Sequence, residues 1–228
     1  MTDFVQLLPL ALLGAILGLD VVSFPQAMVS RPIVAATAAA TLLGEPGRGL
    51  LIGATLEMFA LETLPFGASR YPEWGSAAVV GGGLFAMYPD SSPGALTVAV
   101  LVSLLAAWIG GWSMVQVRKL NARFARARHE DVASGSKRVV EGLQVFGLTA
   151  DLVRGGLLTV ALLAIAVPAY NFALGQWDTD TRVSRAVVVG LAASVAAGAV
   201  WKVVHAAPGA RWLLLGGLGV GLALLATR

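Results

Sequence analysis

Cysteine is absent from the chain, and histidine nearly so, with only His129 and His205. The lack of thiols excludes disulfides, thiolate metal sites and cysteine nucleophiles. Two histidines leave too few ligands for a histidine-rich metal centre. Charge is scarce as well. Charged residues make up 13% of the 228 and hydrophobic residues 57%, with a mean hydropathy of +0.79. An ordinary soluble domain is about 25% charged and about 45–50% apolar. A soluble chain of this length could not cover its surface with so few charges. Disorder, fibres and nucleic-acid binding are therefore set aside, and a polytopic membrane protein is the default. The net charge of +3 and a pI near 9.7 do not point to nucleic acid, because the largest basic group lies in one segment between apolar runs. Catalytic motifs are missing too. There is no G-x-S-x-G, no H-E-x-x-H and no Walker A lysine. Gly81-Gly82-Gly83 and Gly44-x-x-Gly47-x-Gly49 lack the strand and lysine of a phosphate loop. No catalytic residue, metal or cofactor is expected.

What the chain does have is apolar runs. A transmembrane helix needs about 20 predominantly apolar residues. Val5 to Val22 nearly meets this, and it reads as a retained helix because it carries Asp3 and lacks a basic start and a small-residue cleavage site. Ile33 to Leu43 and Gly49 to Leu61 are shorter and flank the turn Gly44-Glu45-Pro46-Gly47-Arg48-Gly49. They read either as broken or re-entrant helices or as a plain hairpin of tilted helices. Ala77 to Tyr88 is short and interrupted by Gly81-Gly82-Gly83, whereas Ala95 to Val115 is a full span. Val139 to Leu152 is weakly amphipathic, and spans follow at Leu157 to Leu174 (with Pro168), Ala186 to Val204 and Trp212 to Ala226. Trp177, Trp201 and Trp212 fall near span ends, where indole rings favour the interface. The pairs Gly14/Gly18, Gly49/Gly53 and Gly217/Gly221 permit close helix approach. The expected fold is all-α: a polytopic integral membrane protein with about six to eight membrane segments, some broken or re-entrant. Residues 1–228 form a single membrane domain, divided into a half at 1–116, a basic cytoplasmic loop at 117–138 and a C-terminal helical half at 139–228.

Ionisable groups inside apolar runs mark function by default, because burying them is costly. Glu57 lies between Leu50 and Leu61 with no basic residue near it in sequence, and Glu62 follows at the end of the run. The Glu57 carboxylate could bond sugar hydroxyls, carry a proton, pair with a distant base, or cap the backbone of a neighbouring broken helix. A second polar cluster holds Asp20, Ser23, Gln26, Ser30 and Arg31, interrupted by Pro25 and Pro32. It is either a binding wall or an ordinary polar loop. Asp151 and Arg154, three apart, read as a local ion pair, and Lys202 and His205 as snorkelling side chains near a span end.

Ser30-Arg31-Pro32-Ile33-Val34, then Leu43-Gly44-Glu45-Pro46, then Gly49 through Gly53 to Leu56-Glu57-Met58, then Leu64-Pro65-Phe66-Gly67-Ala68 form a continuous signature. It resembles the membrane component IIC of the mannose/fructose/sorbose family of the phosphoenolpyruvate-dependent sugar phosphotransferase system. That family has R-P before an apolar run, then L-G-D/E-x-x-x-G-x-x-x-G-x-x-L-E, then a glycine-containing segment before a proline. The spacing matches through Pro72, and the strong part covers about a quarter of the chain. The chain differs in being short, in Glu62 standing where glycine is common, and in the charged, aromatic stretch Ser69 to Trp74.

The resemblance implies a sugar-translocating subunit in the cell inner membrane, paired with a IID-type membrane subunit. Cytoplasmic IIA and IIB components carry the phosphohistidines and phosphorylate the sugar, and IIC carries no phosphorylated residue. It places Glu57 nearest the sugar path, with Gln26, Ser30 and Arg31 in the other wall and Asp20 and Glu62 beside them. The partners implied are membrane lipid, the sugar, these subunits and an oligomeric assembly, with no nucleic acid. Two alternatives stand beside it: a structural or accessory membrane subunit without transport, and an ion-coupled transporter with Glu57 as proton carrier.

Arg118 to Arg138 carries Arg118, Lys119, Arg123, Arg126, Arg128, Lys137 and Arg138 against Glu130 and Asp131. The positive-inside rule puts it on the cytoplasmic side, with Arg123, Arg126 and Arg128 on a helical extension of the preceding span. It serves as a topology signal, or as a docking surface for a cytoplasmic partner or lipid headgroups. In Ser134→Cys, an impermeant thiol reagent added outside intact cells should leave the protein unlabelled; labelling there reverses the orientation.

Overall fold

The computed structural model describes residues 4–20, 23–63, 70–88 and 93–226. Every regular element among the described residues is helical: α1 (Phe4–Asp20), α2 (Pro32–Thr41), α3 (Pro46–Ala60), α4 (Trp74–Met87), α5 (Ala95–Ala127), α6 (His129–Ala133), α7 (Lys137–Gly175), α8 (Thr181–Val204) and α9 (Ala210–Ala226). The all-helical expectation holds. Both expected breaks are present, between α1 and α2 and between α2 and α3.

Local chemistry sets the ends of the short helices. Pro32 and Pro46 each open a helix, where a missing N–H costs nothing and φ is preset. Beyond α2, Gly44 has a φ of 82°, and the Glu45 N–H donates to the Ala40 carbonyl at 2.9 Å, closing the helix end. At 1.5 Å per residue, α2 is about 15 Å long and α3 about 22 Å. Neither reaches across a hydrocarbon core of about 30 Å, and the pair forms a compact hairpin of partial spans.

Among the described residues, three helices are long and apolar enough to cross a membrane: α5, α7 and α8. The weakly amphipathic stretch 139–152 and the span 157–174, which read as separate segments, are one continuous helix of 39 residues, with Pro168 inside it. Gly155-Gly156 stands between the two stretches, and close packing on α1 keeps it helical: a Cβ at Gly155 would lie 3.2 Å from the Ala15 Cα. The interval 117–138 is helical over most of its length: α5 runs on to Ala127, α6 follows, and α7 starts at Lys137. Arg123 and Arg126 lie on that extension of α5, and Arg128 is its C-cap. Phe124 and Phe146 meet edge to face at 4.7 Å between ring centres and hold the extensions of α5 and α7 together.

α4 occupies the centre, packed on α1, α2, α3, α5 and α7. Every residue from Gly75 to Ala86 is buried. Gly81-Gly82-Gly83 does not interrupt α4, because the tight neighbours that exclude side chains also hold the backbone in place. A Cβ at Gly82 would lie 2.8 Å from the Ala36 Cα of α2. The same packing explains two of the three glycine pairs. A Cβ at Gly49 or Gly53 would approach Thr37 Cα at 2.8 Å or Ile33 Cα at 2.9 Å, and one at Gly14 would meet Thr159 Cβ of α7 at 2.8 Å. Gly217 and Gly221 differ, since a Cβ at either meets no described atom within 4 Å. They line an apolar groove between α8 and α9. Val203, Trp212, Leu213 and Leu222 stand exposed beside it, a surface for lipid or protein rather than water.

At the far end of α4, Arg48 donates from Nε to the Phe85 carbonyl at 2.6 Å and from a terminal nitrogen to the Tyr88 carbonyl at 3.1 Å. Its guanidinium lies 3.9 Å above the centre of the Phe85 ring. A cation there satisfies carbonyls of the last turn and opposes the negative end of the helix dipole.

Gly82→Val should lower the thermal midpoint of the purified protein, as overpacking typically costs about 1–3 kcal/mol. Gly217→Val should leave the midpoint unchanged. Equal midpoints for the two variants contradict the packing described for α4.

Candidate functional site

The segment between α1 and α2 must leave and re-enter a helical path within about ten residues, and it is built around Asp20. This carboxylate is 2% exposed. One oxygen accepts the Ala27 N–H at 2.7 Å, and the other accepts the Ser30 N–H at 2.9 Å and the Ser30 hydroxyl at 2.7 Å. Such charge-assisted bonds are the strong ones. They hold a loop in which Gln26 and Met28 have φ of 57° and 61°, an uncommon region for residues with a side chain. Phe24 and Met28 point outward and are exposed, as is Gln26.

The loop ends at Arg31, the N-cap of α2. Its guanidinium pairs with Glu57, which projects from near the C-terminal end of α3. The other Glu57 oxygen accepts the Ile33 N–H at 3.2 Å. One carboxylate therefore neutralises a cation and caps the free amide end of a short helix, where the dipole favours negative charge. The Arg31 and Glu57 side chains are 33% and 20% exposed, so the pair is reachable. Two readings of Glu57 from sequence, a distant basic partner and a cap, describe the same carboxylate.

The remaining acid of that run is placed elsewhere. Glu62 lies just past the end of α3 and pairs with Lys202 of α8. Lys202 therefore serves as an ion-pair partner rather than a merely snorkelling side chain, because the end of α3 packs against α8. The structure brings Asp20, Ser30, Arg31 and Glu57 into one connected set, puts Gln26 on the exposed loop beside it, and sets Glu62 apart. The sequence segment Leu64 to Ala68 lies outside the described residues.

A second polar set lies beneath the loop, and most of it was not legible beforehand. Asp151 and Arg154 do form the local pair, at 2.7 Å, but both are buried. Arg154 also reaches the Gly18 carbonyl at 3.3 Å, the Ser113 hydroxyl at 3.3 Å and a Glu73 oxygen at 3.8 Å. Ser23, at the start of the loop, donates its hydroxyl to Asp151 at 2.6 Å. Glu73 is fully buried and caps α4 by accepting the Ser76 N–H at 3.0 Å. Its other oxygen has no hydrogen-bond partner among the described residues. The only hint of Glu73 in the sequence is its place after Pro72 and before an apolar run, a helix-start pattern. Arg48 gave less, being one residue of a Gly-rich turn. Among the described residues no three His, Asp or Glu side chains converge as metal ligands.

These positions fall inside the stretch that known proteins share. The family model described as the sorbose-specific IIC component of the phosphotransferase system matches residues 4–176. The chain belongs to that family. IIC relatives include the fructose permease IIC component of Bacillus subtilis, 26% identical over 171 residues, covering 75% of this chain and 62% of that protein. The mannose-specific EIIC component of Escherichia coli K12 is 26% identical over 152 residues, covering 67% and 52%. The matched stretch thus spans about half to three-fifths of these IIC relatives' own length. A solved structure described as a membrane protein superposes over 100% of this chain and 93% of its own, with TM-score 0.75 and 21% identity. The mannose transporter ManYZ, in complex with microcin E492, covers 98% and 94% with TM-score 0.61 and 19% identity. The fold is that of these membrane proteins, and the chain is a multi-pass membrane protein of the IIC family.

Arg154→Met should be severely destabilising, because it leaves two buried carboxylates without their cation. Breaking a buried pair in this way typically costs about 3–5 kcal/mol, to be read as a large fall in thermal midpoint and membrane yield. A midpoint equal to the parent's contradicts a structural role for Arg154.

Proposed function

We propose that the chain is the sugar-translocating IIC subunit of a mannose-family phosphotransferase system in the cell inner membrane. The observation that carries this is the Arg31–Glu57 pair: a reachable ion pair where the break between α1 and α2 meets the C-terminal part of α3, in a predominantly apolar chain. Sugar recognition needs a few placed hydrogen-bonding groups against a largely apolar surround. Glu57 offers carboxylate acceptors, Arg31 planar donors and Gln26 an exposed amide. Ser30 has its proton committed to Asp20 and keeps lone pairs free to accept a sugar hydroxyl. Asp20 acts one step back, with both oxygens holding the loop. Glu62, paired with Lys202, braces α3 against α8.

Relatives named for fructose, mannose and sorbose support a hexose as the substrate class. The exposed apolar faces of α8 and α9 meet lipid and a IID-type subunit in an oligomeric complex. Cytoplasmic IIA and IIB components phosphorylate the arriving sugar near the basic end of α5. The transport step on this chain is a rearrangement of hydrogen bonds. Sugar hydroxyls replace part of the contact between Arg31 and Glu57, and the short α2–α3 hairpin passes the sugar on as the pair re-forms.

Glu57→Gln keeps the shape and an acceptor for the Ile33 N–H but removes the charge that Arg31 requires. Expressed with its partner subunits, it should keep its yield and thermal midpoint. Uptake of labelled fructose, mannose or sorbose, whichever the parent takes up, should fall about ten- to a hundred-fold, as each tenfold corresponds to about 1.4 kcal/mol. Normal uptake at normal yield removes Glu57 from the sugar path, and parallel loss of yield and uptake makes it only a cap for α2.

A further inference from the structure

The loop at 23–31 has a second end. Its far end, Ser30 and Arg31, leads to Glu57, while its near end, Ser23, opens on a different cavity. This is a cleft of about 300 Å³ between α5 and α7, lined by Ser23, Met114, Arg118, Asn121, Gln144 and Asp151 among others. It lies at the small end of the range for small-molecule sites, about 300–1,000 Å³, a size suited to a single monosaccharide.

Its polar lining is mixed rather than of one sign. Asp151 is 4% exposed and held from both sides, by Arg154 on one oxygen and Ser23 on the other. Arg118 donates to the Tyr71 hydroxyl at 2.7 Å, which fixes its guanidinium at the wall. Gln144 is exposed at the rim. The Asn121 side-chain carbonyl oxygen is buried and has no hydrogen-bond partner among the described residues. A buried acceptor is normally paired, and the residue that carries this one lines the cleft. Carboxylate, hydroxyl, two amides and a guanidinium around one small space supply both donors and acceptors, the complement of a polyol. Asp151 is already paired with Arg154, so the lining offers hydrogen-bonding groups rather than one dominant charge.

We propose that this cleft is a second sugar site, for an unphosphorylated monosaccharide, coupled to the Arg31–Glu57 site through the shared loop. The proposal rests on the transport reading above. In it, the Asn121 amide rotates to present its oxygen to a sugar hydroxyl, Gln144 closes the rim, and Ser23 links occupancy of the cleft to the position of the loop. The sugar passes from Glu57 to Asp151 on its way out, and only the second site faces the basic end of α5 and α7.

The absence of cysteine makes the test direct. The full chain is placed in nanodiscs with one cysteine introduced at a time, and maleimide labelling is timed with fructose, mannose or sorbose present. At least one of these sugars should slow labelling of Gln144→Cys, and should still do so, at a shifted sugar concentration, in the Glu57→Gln background. The neighbouring Val145→Cys, exposed and outside the cleft, should not respond. Adding Asn121→Leu should raise the half-protecting sugar concentration about tenfold, equivalent to about 1.4 kcal/mol. Labelling of Gln144→Cys unchanged by all three sugars overturns the second site, as does protection by a hexose 6-phosphate alone. Ile33→Cys, beside Glu57, separates the two readings. Protection there without protection at Gln144→Cys leaves the transport reading standing and removes the second site. Protection at Gln144→Cys alone retains this site and removes the one at Glu57.

Discussion

A backbone that ceases to be helical at membrane depth exposes amide and carbonyl groups that lipid cannot satisfy, and each such group costs several kcal/mol. The organisation of this protein depends on how that is met. Four charged side chains do most of it. Asp20 takes the amides of the 23–31 loop, Glu57 the start of α2, Glu73 the start of α4, and Arg48 the carbonyls at the end of α4. Charge is scarce in this sequence because nearly every other position faces apolar surroundings. The few charges present inside the apolar runs stand where the helices stop.

Two of these caps have counterions, and the counterions turn caps into a connected machine. Glu57 is joined to Arg31, and Glu73 lies near Arg154, which also holds Asp151 and through it Ser23. The 23–31 loop is therefore tied at one end to α3 and at the other to α7. Close approach between helices makes this possible. Gly14 and Gly155 bring α1 onto α7, so that the Gly18 carbonyl meets Arg154. Gly82 brings α4 onto α2. A tightly packed centre formed by α4 with α2 and α3 leaves movement to the 23–31 loop and the exposed faces of α8 and α9, which have little burial.

Much of the site could be read before the fold was known, for a physical reason. An acid amid apolar residues, as at Glu57, and a polar cluster cut by two prolines, as at Asp20 to Arg31, are costly and therefore conspicuous. Glu73 and Arg48 were not conspicuous, since each sits in a stretch that already looks like a polar turn. Their burial arises from elements remote in sequence: Ala107 and Gly110 of α5 over Glu73, and Phe85 of α4 beneath Arg48. Glu62 and Lys202 looked like neighbours of a site and of an interface, and they turned out to be partners 140 residues apart.

What the sequence by itself determined was the helical class, the membrane setting, the two breaks and the acids that would need an explanation. Each follows from local composition: apolar run length, proline and glycine chemistry, and the cost of burying charge. Only the tertiary structure decided which charge meets which. Arg31 with Glu57, Lys202 with Glu62, and Ser23 with Asp151 are pairings across 26, 140 and 128 positions. No sequence period encodes such distances, because they are set by how closely the small residues of α1, α2 and α4 let the helices pack.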